Sequence, residues 1–255
     1  KRLRPVMCLE SCRVFGGKVE DAIPTACAIE MLHAQTLIHD DLPCMDDDMY
    51  RRGKLTNHVV FGEANAVLAG DALLMFAPQI ILKNSKNLGC EKLIKIMEEY
   101  FKYAGAYGVI AGQVVDIESE KFDLKDEDDK EFLKETLNYI HEHKTADLFK
   151  LSLGTGAIIA GASDRELEII TDFAHNLGIA FQIADDILDE TSTFEEMGKT
   201  LGKDKAAGKL TYVSLYGLDK AKNDLNTLID KCFDILKENN IQSDIFEKIL
   251  NKIRN

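Results

Sequence analysis

Between His33 and Asn57 the chain places five aspartates, Asp40, Asp41, Asp46, Asp47 and Asp48, and then two arginines, Arg51 and Arg52. A second group, Asp185, Asp186 and Asp189, lies far downstream. Carboxylates grouped this way suit a hard cation. Mg2+ takes one or two carboxylates from a protein and leaves its other positions to water or phosphate oxygens. Arginine forks match phosphate oxygens in pairs. Two acidic groups with cations beside them predict Mg2+ held between the protein and a diphosphate.

The second group has the clearer geometry. Asp185 and Asp189 are four apart and share one helical face, where like charges repel by about 0.2–0.5 kcal/mol. Gln182 shares that face, and Phe181 stacks one turn before Asp185. The flanks Ile183, Ala184, Ile187 and Leu188 are core-like. Carboxylates emerging from an apolar helix are costly unless paired or metal-bound. A lone acidic pair of this kind is most often a solvated face, and the second cluster is what lowers that reading. Asp126-Glu127-Asp128-Asp129 is a useful contrast. It has acidic density without an apolar scaffold and reads as a loop and helix start.

Cations elsewhere suggest two anion sites, one formed by Lys1 and Arg4, the other by Lys144, Lys199 and Lys209. His33 lies two helical turns before Asp40 on the same face and is placed to donate to an anion, although a lone histidine there is more often a core residue. His39 reads as packing or support, since Mg2+ prefers oxygen. Thr36 lies about 6 Å below Asp40 along the helix axis, and Gln35 is slightly deeper. Gln113 and Asp116 are either a satisfied buried pair or pocket lining.

These residues need helices to hold them. Of the 255 residues, 45% are hydrophobic, and apolar positions recur at helical spacing with almost no strand alternation. The expected fold is all-α. Helices are expected over 20–41, with Pro24 in the first turn, over 64–83, 91–119 and 165–190, and over 131–161 as one helix or a broken pair. Pro43 ends the first of these, and 42–57 reads as a loop. Net charge is −13, which excludes nucleic acid as a partner and requires an anionic substrate to be met locally. No CxxC pair occurs among the six cysteines, as in a reducing cytoplasm. No apolar run reads as a membrane span, and no signal peptide is visible.

Taken in order, six stretches resemble the motifs of the trans-prenyl (polyprenyl) diphosphate synthase family, of the bacterial farnesyl or geranylgeranyl type. They are KRLRP at 1–5, DDLPCMDDDMYRRG at 40–53, GVIAGQVVDI at 108–117, HKT at 143–145, FQIADDILD at 181–189 and GKTLGKD at 198–204. The resemblance implies one isoprenoid synthase domain over 1–255, a single helical bundle of about ten helices around a deep central pocket, forming a homodimer. It implies an N-terminal helix ahead of Lys1 that is missing here.

It also implies roles. About three Mg2+ ions would be held through Asp40, Asp46 and Asp185, with Asp41 and Asp189 supporting. An allylic diphosphate would meet Arg51, Lys144, Lys199 and Lys209. Isopentenyl diphosphate would meet Lys1, Arg4, His33 and Arg52. Lys144, Thr145 and Gln182 would be the catalytic residues, with the oxygens of Gln182 and Thr145 stabilising the carbocation. The activity implied is condensation of these two substrates to farnesyl or geranylgeranyl diphosphate. In such enzymes the residues four and five before the first aspartate line the pocket floor. Thr36 and Gln35 stand there, neither aromatic, and Tyr103 or Tyr107 is a further candidate to close it. A terpene cyclase would need no second diphosphate site. A non-catalytic subunit usually loses an aspartate cluster. A generic acidic helical protein would ignore magnesium.

Overall fold

A computed structural model describes residues 2–122, 129–191 and 209–255. They form α1 (Leu3–Val14), α2 (Val19–Asp40), a hairpin of β1 (Tyr50–Arg51) and β2 (Lys54–Leu55), α3 (Asn57–Phe61), α4 (Glu63–Asn84), α5 (Cys90–Ala104) and α6 (Val109–Ser119). Then come α7 (Lys130–Ile140), a π-helical turn (His141–Ala146), α8 (Asp147–Ala160), α9 (Asp164–Thr191), α10 (Tyr212–Tyr216), α11 (Leu218–Glu238) and α12 (Asp244–Arg254). The all-α expectation holds.

The bundle is built around α8. Its residues from Asp147 to Ile159 are all buried, as expected of a helix apolar on nearly every side. Leu148, Leu151 and Ile158 pack into one core with Ile29, Leu32, Ile81 and Ile96 from α2, α4 and α5. Phe149, Leu153 and Ala157 pack into a second core with Phe173, Leu177, Ile229 and Phe246 from α9, α11 and α12. At Gly156, where a Cβ would lie 2.2 Å from the Cys8 carbonyl oxygen, α1 comes close enough for Ser11 Oγ to donate to Leu153 O at 2.6 Å. Ser243 caps α12 by accepting from Phe246 N at 3.0 Å and donates its own hydroxyl proton to Glu10 on α1.

The segment from Lys130 to Ala160 runs on through the π turn. A π turn adds a residue to the hydrogen-bonded ring and re-aims the side chains it carries. Two glycines let neighbouring helices close on it. A Cβ at Gly112 on α6 would sit 2.2 Å from Lys144 N, and one at Gly178 on α9 would sit 2.5 Å from Ala146 Cα. Gly112 on α6 and Gly178 on α9 thus mark helix contact.

Four expectations need correction. The helix over 91–119 is interrupted between Ala104 and Val109; the chain returns so closely there that a Cβ at Gly108 would meet Tyr103 O at 2.1 Å, which only glycine avoids. The loop after Pro43 contains the hairpin. Arg52 (φ 55) and Gly53 (φ 74) both take positive φ, as a type I′ connection requires. The α2 helix starts at Val19, so Pro24 falls in the second turn and removes one helical N–H there. Finally, α4 is long and apolar enough by composition to cross a membrane, with mean hydropathy 1.5 and 28% of that window buried. It packs along α2, where a Cβ at Gly70 would strike the His39 ring. Its other face leaves Leu68, Met75, Phe76 and Leu82 exposed.

Candidate active site

The first aspartate group begins where α2 ends. Asp40 is the last helical residue, and Asp46 N returns to Asp40 O at 2.9 Å, folding the loop back over the helix end. Asp41 is buried and is held by Arg51, whose Nε donates to Asp41 Oδ1 at 2.8 Å. Arg51 also lies 3.4 Å from Asp48. The hairpin turn separates the two arginines. Arg51 is half-buried against the aspartates, whereas Arg52 is exposed at the corner.

Asp40 stays close to Asp46 and Asp116. Burial raises its carboxyl to about 6, with Lys144 opposing the rise and Asp46 adding to it. The cations answering this crowd come from other elements. Lys144, on the π turn, donates to Asp116 Oδ2 on α6, and Lys209 lies 3.5 Å from Asp116 and 4.0 Å from Asp46. Burial alone would raise the Asp116 carboxyl, yet Lys144 and Lys209 hold it below the ordinary value. Burial likewise opposes charge on Lys144, and Asp116, Asp40 and Asp46 together more than offset it.

A second cationic region faces α2 from α1. Arg4 Nη1 donates to His33 Nε2 at 3.3 Å, and its guanidinium lies 5.2 Å from the centre of the Phe149 ring. Burial lowers Arg4 to about 10, with Glu30 and Asp185 opposing and Arg52 adding, so it is charged near neutrality. Burial, then Arg4, Arg52 and Arg51, depress His33 to about 2. His33 is therefore neutral. With Nε2 accepting from Arg4, its proton sits on Nδ1. That atom, Arg4 Nε and Gln113 Nε2 are buried donors without a partner among the described residues. All three can serve an anion.

On α9, Gln182 Oε1 accepts from Thr145 Oγ1 at 2.6 Å, and Gln182 Nε2 donates to Asp186 Oδ1 at 2.9 Å. Asp185 and Asp189 are half-buried, whereas Asp186 is buried. Among the described residues, no three His, Cys, Asp or Glu side chains converge as a ready-made cation cage. An all-oxygen donor set split between α2 and α9 fits Mg2+ completed by phosphate oxygens.

Some sequence-predicted residues do other work. Gln35 Nε2 donates to His39 Nδ1 at 3.1 Å, and His39 Nε2 donates to Val67 O on α4 at 3.1 Å, so His39 is a packing residue. Thr36 Oγ1 donates to His33 O at 2.9 Å within its own helix. Tyr103 is buried, but Tyr107 is 89% exposed and is not placed to close a pocket. Gln113 and Asp116 do not bond each other. Asp116 is the partner of Lys144 and Lys209, a role that a lone aspartate on an apolar helix only hinted at. Lys1, Lys199, the GKTLGKD stretch and positions 126–128 lie outside the described residues.

The helical bundle brings together split carboxylates, two cationic regions and buried donors that have no partner among the described residues. The Polyprenyl synthetase family model matches residues 1–253. A dimethylallyltranstransferase of Fischerella ambigua is 47% identical over 231 residues, covering 91% of this chain and 65% of the relative. A geranylgeranyl diphosphate synthase of Cyanophora paradoxa is 44% identical over 232 residues, covering 91% of this chain and 75% of the relative. The crystal structure of a geranyltransferase from Helicobacter pylori, complexed with magnesium and isoprenyl diphosphate, superposes with a TM-score of 0.85 at 33% identity, covering 99% of this chain and 82% of that one. The chain belongs to the polyprenyl synthetase family and has its all-α isoprenoid synthase fold. It spans about two thirds of the Fischerella ambigua relative's length.

The neutrality of His33 is directly measurable. A ring depressed to about 2 stays unprotonated at every higher pH. Its NMR shifts should be flat between about pH 5 and 8, and a midpoint near 6.5 would contradict the structure.

Proposed function

We propose that this chain is a short-chain trans-prenyl diphosphate synthase. It condenses isopentenyl diphosphate with an allylic diphosphate to give farnesyl or geranylgeranyl diphosphate. The observation that carries this reading is the separation of two cationic regions. Lys144 and Lys209 stand among Asp40, Asp46 and Asp116, and Arg4 stands with His33. A terpene cyclase has one diphosphate to hold and no use for the second region.

Asp40 and Asp46 on one side and Asp185 on the other would hold about three Mg2+ ions, with Asp189 in support. Bound there, Mg2+ neutralises the leaving diphosphate as the allylic C–O bond breaks. Arg51, Lys144, Lys199 and Lys209 bind the same diphosphate. Lys1, Arg4, His33 and Arg52 bind isopentenyl diphosphate, with His33 acting as a neutral donor. The Oγ of Thr145 and the Oε1 of Gln182 would face the positive carbon and favour its charge. The double bond of isopentenyl diphosphate supplies the electron pair for the new C–C bond. The proton then lost goes to the released diphosphate, so no side-chain base is needed.

Asp41 takes a supporting role through Arg51. Gln35 and Thr36 are the floor positions, with Tyr103 deeper in the core. We read the described helices as one domain, because both cores share α8. The exposed apolar face of α4 supports a homodimer, since a monomer rarely leaves such a patch uncovered. All six cysteines are free thiols, which supports a reducing compartment such as the cytoplasm.

Incubation with dimethylallyl and isopentenyl diphosphates plus Mg2+ should release diphosphate and yield a C15 or C20 product by mass. Asp40→Ala should lower turnover by about 10²-fold or more. Gln35→Phe should shorten the product. Turnover without isopentenyl diphosphate would instead identify a cyclase, and unchanged length in Gln35→Phe would remove Gln35 from the floor. Sedimentation should show a dimer that Leu68→Asp with Met75→Asp dissociates. A monomeric parent protein would remove the homodimer.

A further inference from the structure

The middle aspartate of the second group faces away from the task its neighbours share. Asp186 is 8% exposed, against half-burial for Asp185 and Asp189. Both its oxygens are occupied from within the protein. Oδ1 accepts from Gln182 Nε2 at 2.9 Å. Oδ2 accepts from the backbone N–H of Tyr212 at 2.7 Å and lies 3.4 Å from His141 Nε2. Three elements therefore meet on this carboxylate: α9, the π turn and the start of α10.

The chemistry of the contact fixes an orientation. An ionised carboxylate only accepts hydrogen bonds, so the Gln182 amide must turn its NH2 toward Asp186. That leaves Oε1 pointing the opposite way, where it accepts the Thr145 hydroxyl proton at 2.6 Å. With that proton committed, Thr145 Oγ has only lone pairs left for other neighbours. A site that must favour positive charge on carbon needs oxygens presented this way and not hydroxyl protons.

We propose that Asp186 is a positioning residue of the reaction and not a metal ligand. Through Gln182 it sets the proton direction of Thr145, so that both oxygens present lone pairs to the allylic cation. This rests on the synthase reading above. Tyr212 N anchors the far side of the carboxylate, which ties the orientation of Gln182 to the return of the chain at α10.

The test is a kinetic double-mutant cycle on the full chain with Mg2+ and both diphosphates. An asparagine at 186 keeps one acceptor oxygen and cannot serve Gln182 and Tyr212 N together. Asp186→Asn should lower kcat by about 10²-fold while KM values change by less than about twofold. The Mg2+ concentration for half-maximal activity, and calorimetric binding of Mg2+ with inorganic diphosphate, should match the unaltered protein. Gln182→Leu should cause a similar loss of kcat, and the double variant should lose little more. Additive losses, or weakened Mg2+–diphosphate binding in Asp186→Asn, would overturn the proposal. If Asp186→Asn does not fold, Gln182→Leu alone decides, because it leaves the Asp186–Tyr212 bond in place; an unchanged kcat then overturns it. An unaltered protein that makes no prenyl product overturns the synthase reading itself.

Discussion

The structure depends on one electrostatic constraint: carboxylates are crowded into a space that excludes much of their solvent. Asp40, Asp46 and Asp116 come from α2, its following loop and α6, and none tolerates the others without a cation. Lys144 is the closest answer. It donates to Asp116 and feels both Asp40 and Asp46. Removing one partner of such a pair leaves a buried charge behind, at a cost of about 3–5 kcal/mol. Lys144 is therefore structural as well as a ligand group, and its position explains the backbone around it. The π turn aims it inward, and Gly112 lets α6 approach its amide.

The aspartates divide into two sets that the motifs do not distinguish. Asp41, Asp116 and Asp186 are buried and satisfied by Arg51, Lys144 and the Gln182–Tyr212 pair. They build the walls. Asp40, Asp46, Asp185 and Asp189 are half-buried and sit at the ends of α2 and α9. The rise of Asp40 to about 6 marks a carboxylate whose protein cations do not fully compensate burial. In the proposed function, a metal shared with a diphosphate would supply what is lacking. The wall-building set makes the site specific in shape; the cleft set makes it dependent on ligand.

Much of this was legible in the sequence. Periodicity gave the helices, because most of them bury a clear apolar stripe. The two aspartate groups and their cations gave the chemistry, because such density between core-like flanks has few other uses. What escaped had physical reasons. The break between α5 and α6 is so tight that a Cβ at Gly105 or Gly108 would meet a backbone oxygen, and glycine alone does not announce that. The π turn has no composition of its own. The hairpin occupies only six residues, Tyr50 to Leu55, with Arg52 in a left-handed conformation more usual for glycine or asparagine. Asp116 and Asp186 declare their roles only when distant residues arrive, Lys209 in one case and Tyr212 in the other. Tyr107 looked able to close a pocket until the break after α5 turned it outward.

The central claim is that the carboxylates of α2 and α9 do not hold metal alone and become a site only when a diphosphate bridges them. Thermal unfolding with Mg2+, with inorganic diphosphate, and with both tests it most directly. The account predicts little shift from either alone and a marked rise in Tm from the two together, as linkage requires for a ligand that binds only as the pair. An equal rise from Mg2+ alone, or no rise from the pair, would contradict it.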